Sequence, residues 1–283
     1  MEFSGKKVTV VGTGISGIGA VGLLNAVGAE VVLYDGNEKL KIEDIEKKLG
    51  TYKAEIVLGE LTKELTDSSD LLVISPGVPI DSPVVKAFEA AGVPVWGEVE
   101  LAYAFDKGKV LAITGTNGKT TTTALVGQIV GAYHKDTFVV GNIGNPYTTE
   151  VLKSNKDSYT VAEISSFQME KAKEFHPHIS AVLNITPDHL NRHKTMDVYI
   201  AMKERVFAKQ TAEDFCILNH GDAACRKMAD KTAAKVFFFD SSERLAEGIY
   251  LDGDAIEVRW GAINETLIHV DELQILGVHN YEN

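Results

Sequence analysis

The chain has 283 residues, 45% of them hydrophobic and 24% charged, which is the composition of folded domains and a length that accommodates two. A formal net charge of −12 excludes a broad nucleic-acid or anionic-membrane surface, because no Lys/Arg stripe is present to displace counterions. Any phosphate must therefore be held locally. The two cysteines, Cys216 and Cys225, have the spacing of neither a metal knuckle nor a redox pair, so buried thiols in a reducing compartment are expected.

The N-terminus passes from Met1 straight into a strand with no signal segment, and no apolar run approaches the ~18 residues of a membrane span. A cytoplasmic location without a membrane partner is expected. The first strand, Lys7–Val11, leads into Gly12-Thr13-Gly14-Ile15-Ser16-Gly17 and then a helix through Asn25. A second strand, Val31–Tyr34, places Asp35 at its end. This is the dinucleotide fingerprint in its strand–turn–helix–strand setting. Its glycines permit a tight turn and close backbone approach, and the open N–H groups of the helix start favour a diphosphate. The motif identifies the anion and not the cofactor: NAD or FAD with Asp35 on ribose hydroxyls, or another nucleotide diphosphate. A strand at Leu71–Ile74 ends in Ser75-Pro76-Gly77, expected to face the same crevice.

A domain boundary is expected near Gly97, giving 1–97 and 98–283, with a helix from Glu98 to Phe105 opening the second domain. There Val110–Thr114 runs into Gly115-Thr116-Asn117-Gly118-Lys119-Thr120-Thr121. The ending fits a phosphate-binding loop, although the leading glycine of that pattern falls on Ile113 and Gly115 substitutes for it. Consecutive N–H groups can surround phosphate oxygens, Lys119 can reach terminal phosphates, and the Thr120 hydroxyl can ligate Mg2+. After the strand Thr137–Val140 comes Gly141-Asn142-Ile143-Gly144, and the next strand, Tyr159–Glu163, ends in a carboxylate suited to a hard cation. Ile179–Asn184 continues into Ile185-Thr186-Pro187-Asp188-His189, which offers His189 as a metal ligand or substrate contact.

Met196–Phe207 reads as a helix whose apolar arc contains Val198, Met202, Val206, Tyr199, Met196, Phe207 and Ile200, with Lys203 inside it. A lysine there must snorkel, pair with an acid, or lose its proton, and a neutral amine could take up carbon dioxide as a carbamate. After a strand at Phe215–Leu218, Asp252-Gly253-Asp254 between Gly248–Leu251 and Ile256–Trp260 signals a hairpin and an antiparallel extension of the second sheet. The last residues, Leu276 to Asn283, look like a helix entrance without a body, and a fragment is expected. The alternation of strands and helices predicts an α/β protein: a Rossmann-like parallel-sheet domain, then a P-loop ATPase-like α/β domain with the antiparallel addition.

Gly115–Thr121, Ala162-Glu163-Ile164-Ser165-Ser166-Phe167-Gln168, Asn184 to Leu190, Lys203 and Gly277-x-His279-Asn280-x-x-Asn283 together resemble the Mur ligases and their folylpolyglutamate synthetase relatives. Within that family the Glu-x-Ser-Ser-Phe-Gln stretch, the Ser-Pro-Gly turn and the dinucleotide-like start are similar to the D-glutamate-adding branch. The resemblance implies a monomeric ATP-dependent ligase of peptidoglycan precursor synthesis that joins D-glutamate to UDP-N-acetylmuramoyl-L-alanine through an acyl phosphate. It implies that Gly14, Ile15, Ser16, Asp35, Ser75, Pro76 and Gly77 contact the uridine diphosphate end. Asn142, Ser165, Gln168 and His189 would meet the muramoyl-alanine end. Gly115, Thr116, Asn117, Gly118, Lys119, Thr120 and Thr121 would hold ATP phosphates, and Asn280 and Asn283 the adenine side. One Mg2+ would sit on Thr120 and Glu163, a second on His189 and a carbamylated Lys203. The family's third, amino-acid-receiving domain would be absent. The alternatives are another Mur-type amino-acid ligase, or an NAD-dependent oxidoreductase fused to a P-loop module.

Overall fold

The computed structural model describes residues 2–142, 144–275 and 277–283, so Met1, Ile143 and Leu276, which the sequence reading touched, lie outside the described residues. The chain divides into two compact units, one of residues 1–108, 140–157 and 166–175, the other of residues 109–139, 158–165 and 176–283.

The first unit is built on a five-stranded sheet with the order β3-β2-β1-β4-β5. Its strands are β1 (Lys7–Val11), β2 (Glu30–Asp35), β3 (Glu55–Leu58), β4 (Leu71–Ile74) and β5 (Val95–Gly97). All neighbours are parallel. Central strands of such sheets are covered on both faces, and β1 and β4 accordingly read as near-continuous apolar runs instead of alternating. The covering helices are α1 (Ile15–Ala26), α2 (Ile42–Leu49), α3 (Lys63–Ser68), α4 (Pro83–Ala90) and α5 (Glu98–Tyr103). Thr62 caps α3 by accepting from Leu65 N–H, and Pro83 opens α4 where its missing N–H does no harm. One core joins Val11, Val32, Leu72 and Ile74 to Val85 and Phe88 of α4. The strand order reverses between β1 and β4, so the turns after Val11 and Ile74 open side by side, the position at which such sheets take ligands.

The second sheet has nine strands in the order β14-β13-β12-β11-β10-β9-β6-β8-β7. They are β6 (Lys109–Thr114), β7 (Thr137–Gly141), β8 (Tyr159–Glu163), β9 (Ile179–Val182), β10 (Phe215–Asn219), β11 (Lys235–Asp240), β12 (Gly248–Asp252), β13 (Ala255–Trp260) and β14 (Ile263–His269). The ladders from β8 through β6, β9, β10 and β11 to β12 are parallel. The expected hairpin is present, with Asp252 opposite Ala255, and a third antiparallel strand, β14, extends it. Helix α6 (Lys119–Tyr133) follows β6. Because β6 lies between β8 and β9, with Ile113 opposite Glu163 and Thr114 opposite Val182, the ends of these three strands share one edge.

The helix expected over Met196–Phe207 stops at Glu204, and its buried face is Tyr199 and Lys203, continued by Val206 and Phe207 beyond its end. Val198, expected near the centre of the apolar arc, is 43% exposed. The buried stripe follows the i, i+4, i+7 spacing from Tyr199. The terminal segment forms a single 3-10 turn, Val278–Tyr281. Cys216 and Cys225 are buried free thiols. No helix among the described residues is long and apolar enough to cross a membrane.

Candidate functional site

The first unit concentrates its polar loop atoms at the β1 and β4 ends. Gly12 takes φ +104°, and a Cβ on it would stand 2.8 Å from Ser75 Oγ. A Cβ on Gly17 would meet the Gly12 carbonyl oxygen at 1.9 Å, so this glycine is what lets α1 start so close to the turn. Gly14, at φ −80°, has open space around it. Asp35 serves the loop: Thr13 N–H and Oγ1 donate to its Oδ2 at 3.3 and 3.1 Å, and Asn37 N–H to its Oδ1 at 3.1 Å. Lys48 Nζ donates to Thr13 O at 3.4 Å, bringing a cation to the turn. A hollow of about 390 Å³ runs beside the start of α1, lined by Thr13, Gly14, Ile15, Ile18, Lys48 and Tyr52 among others. Ile15 is 74% exposed and Ser16 half-buried.

Across the switch point, Ser75 and Pro76 are half-buried and Gly77 exposed. Ser75 Oγ is buried without a hydrogen-bond partner among the described residues, an unusual state for a hydroxyl in a folded protein. In the same unit Asn142 is exposed, while Gln168 is buried and donates from Nε2 to Glu98 Oε2 at 3.5 Å. Ser165 belongs to the second unit and is half-buried.

The second unit folds Gly115–Gly118 into a loop between β6 and α6. Gly115 (φ +152°) and Gly118 (φ +82°) take backbone conformations that suit glycine. Asn184, just past β9, holds the loop from outside: its Oδ1 accepts from Thr116 N–H (3.1 Å) and Asn117 N–H (2.8 Å), and its Nδ2 donates to Asn117 O (3.1 Å). Thr116 Oγ1 lies 3.1 Å from the Tyr199 hydroxyl, and the Thr186 N–H donates to it at 3.0 Å. Lys119 folds back over the loop, donating to Gly115 O (3.0 Å) and Thr116 O (2.8 Å). Thr120 Oγ1 donates to Glu163 Oε2 at 2.9 Å, and Glu163 is 1% exposed. Thr121 follows in the first turn of α6. At the other end of the chain, Asn283 Oδ1 accepts from Thr122 Oγ1 (3.2 Å), and its Nδ2 donates to Asn280 Oδ1 (2.8 Å). The Asn283 amide lies so near Gly118 that a Cβ there would come within 2.3 Å of Oδ1.

Lys203 is 2% exposed, donates from Nζ to Gly115 O at 2.6 Å and lies 4.8 Å from the centre of the Tyr199 ring. Burial, then the nearby Lys119 ammonium, lower its pKa to about 7, against a smaller opposing pull from Asp188. Lys119 is lowered too, by burial, with Glu163 and Asp188 opposing. Two ammonium groups at one carbonyl repel, and a neutral Lys203 relieves that conflict. His189 takes the left-handed conformation (φ +51°), and its Nε2 lies 3.4 Å from Asp188 Oδ2 on a half-exposed side chain.

Gly115, Lys119 and Lys203 are thus joined by direct hydrogen bonds, and Thr120 and Glu163 by another. Asn184 and Tyr199 bond to the loop, and Glu98, in the first unit, bonds to Gln168; none of the three was among the site residues expected from the sequence. Asn184 carried a usable signal, a polar residue at a strand end just before the Pro187 loop. Tyr199 reads only as core, and nothing in the sequence distinguishes Glu98 from other helix-start acids.

A switch-point crevice on one sheet and a phosphate-type loop with a lysine, a threonine hydroxyl and a buried carboxylate on another are the geometry of α/β nucleotide-binding folds. Residues 113–283 match the Mur ligase middle domain, and residues 6–97 match the Mur ligase MurD-like N-terminal domain. The chain belongs to the Mur ligase family. It is 59% identical over its whole length to the UDP-N-acetylmuramoylalanine--D-glutamate ligase of Lachnospira eligens and 52% identical to that of Lachnoclostridium phytofermentans. It spans 63% of the length of each. Among solved structures, UDP-N-acetylmuramate:L-alanyl-gamma-D-glutamyl-meso-diaminopimelate ligase from Neisseria meningitides shares the fold, with a TM-score of 0.63 at 17% identity over 99% of this chain and 90% of that one.

Proposed function

We propose that the protein to which this chain belongs joins D-glutamate to UDP-N-acetylmuramoyl-L-alanine at the expense of ATP, in the cytoplasm and as a monomer. A carboxylate is a poor electrophile. The γ-phosphoryl group of ATP is transferred to the alanine carboxylate, releasing ADP, and the amine of D-glutamate then attacks the acyl phosphate, forming the amide and releasing phosphate.

The observation that carries this reading is the pair of lysines, Lys119 and Lys203, on the Gly115 carbonyl with the Thr120–Glu163 pair at the end of the same loop, in a chain 59% identical to a named D-glutamate ligase. The N–H groups from Gly118 into the first turn of α6, together with Lys119, bind the triphosphate; Asn280 and Asn283 contact the adenine side. The Thr120 hydroxyl and buried Glu163 carboxylate are hard oxygen donors in contact, a pair that fits Mg2+, and Lys203 as a carbamate would join His189 at a second ion. When bound, the ions offset the charge repulsion between carboxylate and triphosphate. Gly14, Ile15, Ser16, Asp35 and Ser75–Gly77 bind the uridine diphosphate end, with Asp35 acting through the Thr13 turn that it braces. Asn142, Ser165, Gln168 and His189 take the muramoyl-alanine end. The 1–97 region serves as the sugar-nucleotide domain and 98–283 as the ATP domain; D-glutamate is received by a third domain outside this chain.

Incubating the full-length protein with ATP, UDP-N-acetylmuramoyl-L-alanine and each candidate amino acid tests the assignment: phosphate release should depend on D-glutamate, and release with another amino acid instead would refute it. The carbamate is tested separately: short carboxylic acids should restore activity to Lys203→Ala, and failure of every such acid would count against it.

A further inference from the structure

Helix α5 carries two carboxylates that the scheme above does not use. Glu98 and Glu100 are 2% and 3% exposed. Two residues apart on a helix, they point to nearly opposite sides. Each meets a segment that returns to the first unit after the chain has entered the second, residues 140–157 and 166–175. Glu98 Oε1 accepts from Thr148 N–H (3.4 Å) and Thr148 Oγ1 (3.5 Å), while Glu98 Oε2 accepts from Gln168 Nε2 (3.5 Å). Glu100 accepts from Lys173 N–H at 2.8 Å and from Glu174 N–H at 2.9 and 3.1 Å. Thr148 also lies close against α1, since a Cβ on Gly19 would come within 2.6 Å of its Oγ1.

Burying a carboxylate is costly, and burial pushes the Glu98 carboxyl above its ordinary range despite these donors. The charged groups close by do not neutralise it. Lys171, which lines the same small hollow, is paired with Glu89 at 2.6 Å, and the neighbouring Tyr147 hydroxyl donates to Asp106 at 2.6 Å. A carboxylate has one property that a neutral amide at this position would lack: it only accepts hydrogen bonds. In its ionised form it therefore obliges Gln168 to turn Nε2 and not Oε1 toward it, whereas a glutamine at 98 would allow either orientation.

We propose that Glu98 is a positioning residue for sugar-nucleotide recognition: it fixes the Gln168 amide orientation and, with Glu100, clamps to the first unit the two segments that carry Asn142 and Gln168. The part concerning recognition rests on the substrate role proposed above for those two residues.

In the full-length protein, Glu98→Gln should raise the KM for UDP-N-acetylmuramoyl-L-alanine about tenfold with kcat and the KM for ATP within about twofold, the pattern of lost binding and not lost chemistry. Gln168→Leu should do the same, and the double variant should be no worse than Gln168→Leu alone, since both remove one interaction. An unchanged KM in Glu98→Gln, or additive effects in the pair, would overturn the positioning role. The clamp is read without activity, by amide hydrogen exchange. Glu98→Ala should lower protection at Thr148, and Glu100→Ala at Lys173 and Glu174, by about tenfold or more. Unchanged protection in both variants would sink the clamp. A wild-type protein that ignores the sugar nucleotide would instead remove the substrate reading, leaving the exchange result to decide the clamp alone.

Discussion

Lys119 and Lys203 donate to the same Gly115 carbonyl, which brings two lysine amines together at one end of the loop. With the pKa of Lys203 lowered to about 7 from 10.5, the unfolded chain holds one more proton than the folded one between those values. Stability from this residue therefore rises with pH across that window, and the penalty is complete below it. In bicarbonate-free buffer, Lys203→Met should unfold at a higher denaturant midpoint than wild type near neutral pH, and the gap should narrow as the pH approaches 10.5. A gap independent of pH would mean that Lys203 keeps its proton. Glu163→Gln removes an anionic oxygen from the partner of Thr120 and should lower kcat by roughly 10²–10³-fold. Sugar-nucleotide affinity measured by calorimetry should stay unchanged; a parallel loss of both would contradict its role. At this scale the sequence disclosed the burial of Lys203 through its place in a helical period. It did not disclose Asn184 as the brace of the loop, because that role depends on β9 lying next to β6, and strand order is a property of the folded sheet.

The strand-to-helix turn after β1 shows that three glycines of one motif face different demands. Gly17 has the Gly12 carbonyl 1.9 Å from where a Cβ would be, and backbone cannot move aside cheaply. Gly17→Ala should destabilise by about 3 kcal/mol or more in urea unfolding, whereas Gly14→Ala, with open space and an ordinary φ, should stay within about 0.5 kcal/mol. Equal effects would mean that the turn is held by something other than this contact. The motif letters mark the three alike, since sequence shows where glycine stands and not what it would strike. Elements were legible where burial imposes a pattern: β1, β4 and β8 occupy the positions that their apolar runs predict. Strand β14 was not, because nearly every residue in Ile263–His269 is exposed and no core imposes alternation on it. The four-residue β3, only partly buried along its length, gave equally little to read.

Each sheet of the molecule presents a strand-end edge suited to a nucleotide, while the chain spans 63% of the length of its ligase relatives. Residues 1–283 alone should bind UDP-N-acetylmuramoyl-L-alanine and form no amide. At about 100 times the dissociation constant the sugar nucleotide should add ~2.7 kcal/mol to stability, visible as a raised melting temperature. Normal turnover with D-glutamate by this chain would overturn the need for a third domain. Both sheets follow from the alternation of strands and helices. The assignment of residues to units does not, because segments 140–157 and 166–175 are contiguous in sequence with the second unit and join the first. Only contacts such as those of Glu98 and Glu100 reveal their membership. That interleaving has a consequence during synthesis. When Gly108 leaves the ribosome, the N-terminal unit still lacks two of its three pieces, and both α5 carboxylates await donors that have not been translated. Its completion must wait until Phe175 has emerged, so the nascent chain carries an unfinished core through the making of the phosphate loop, a window in which a chaperone would find it exposed.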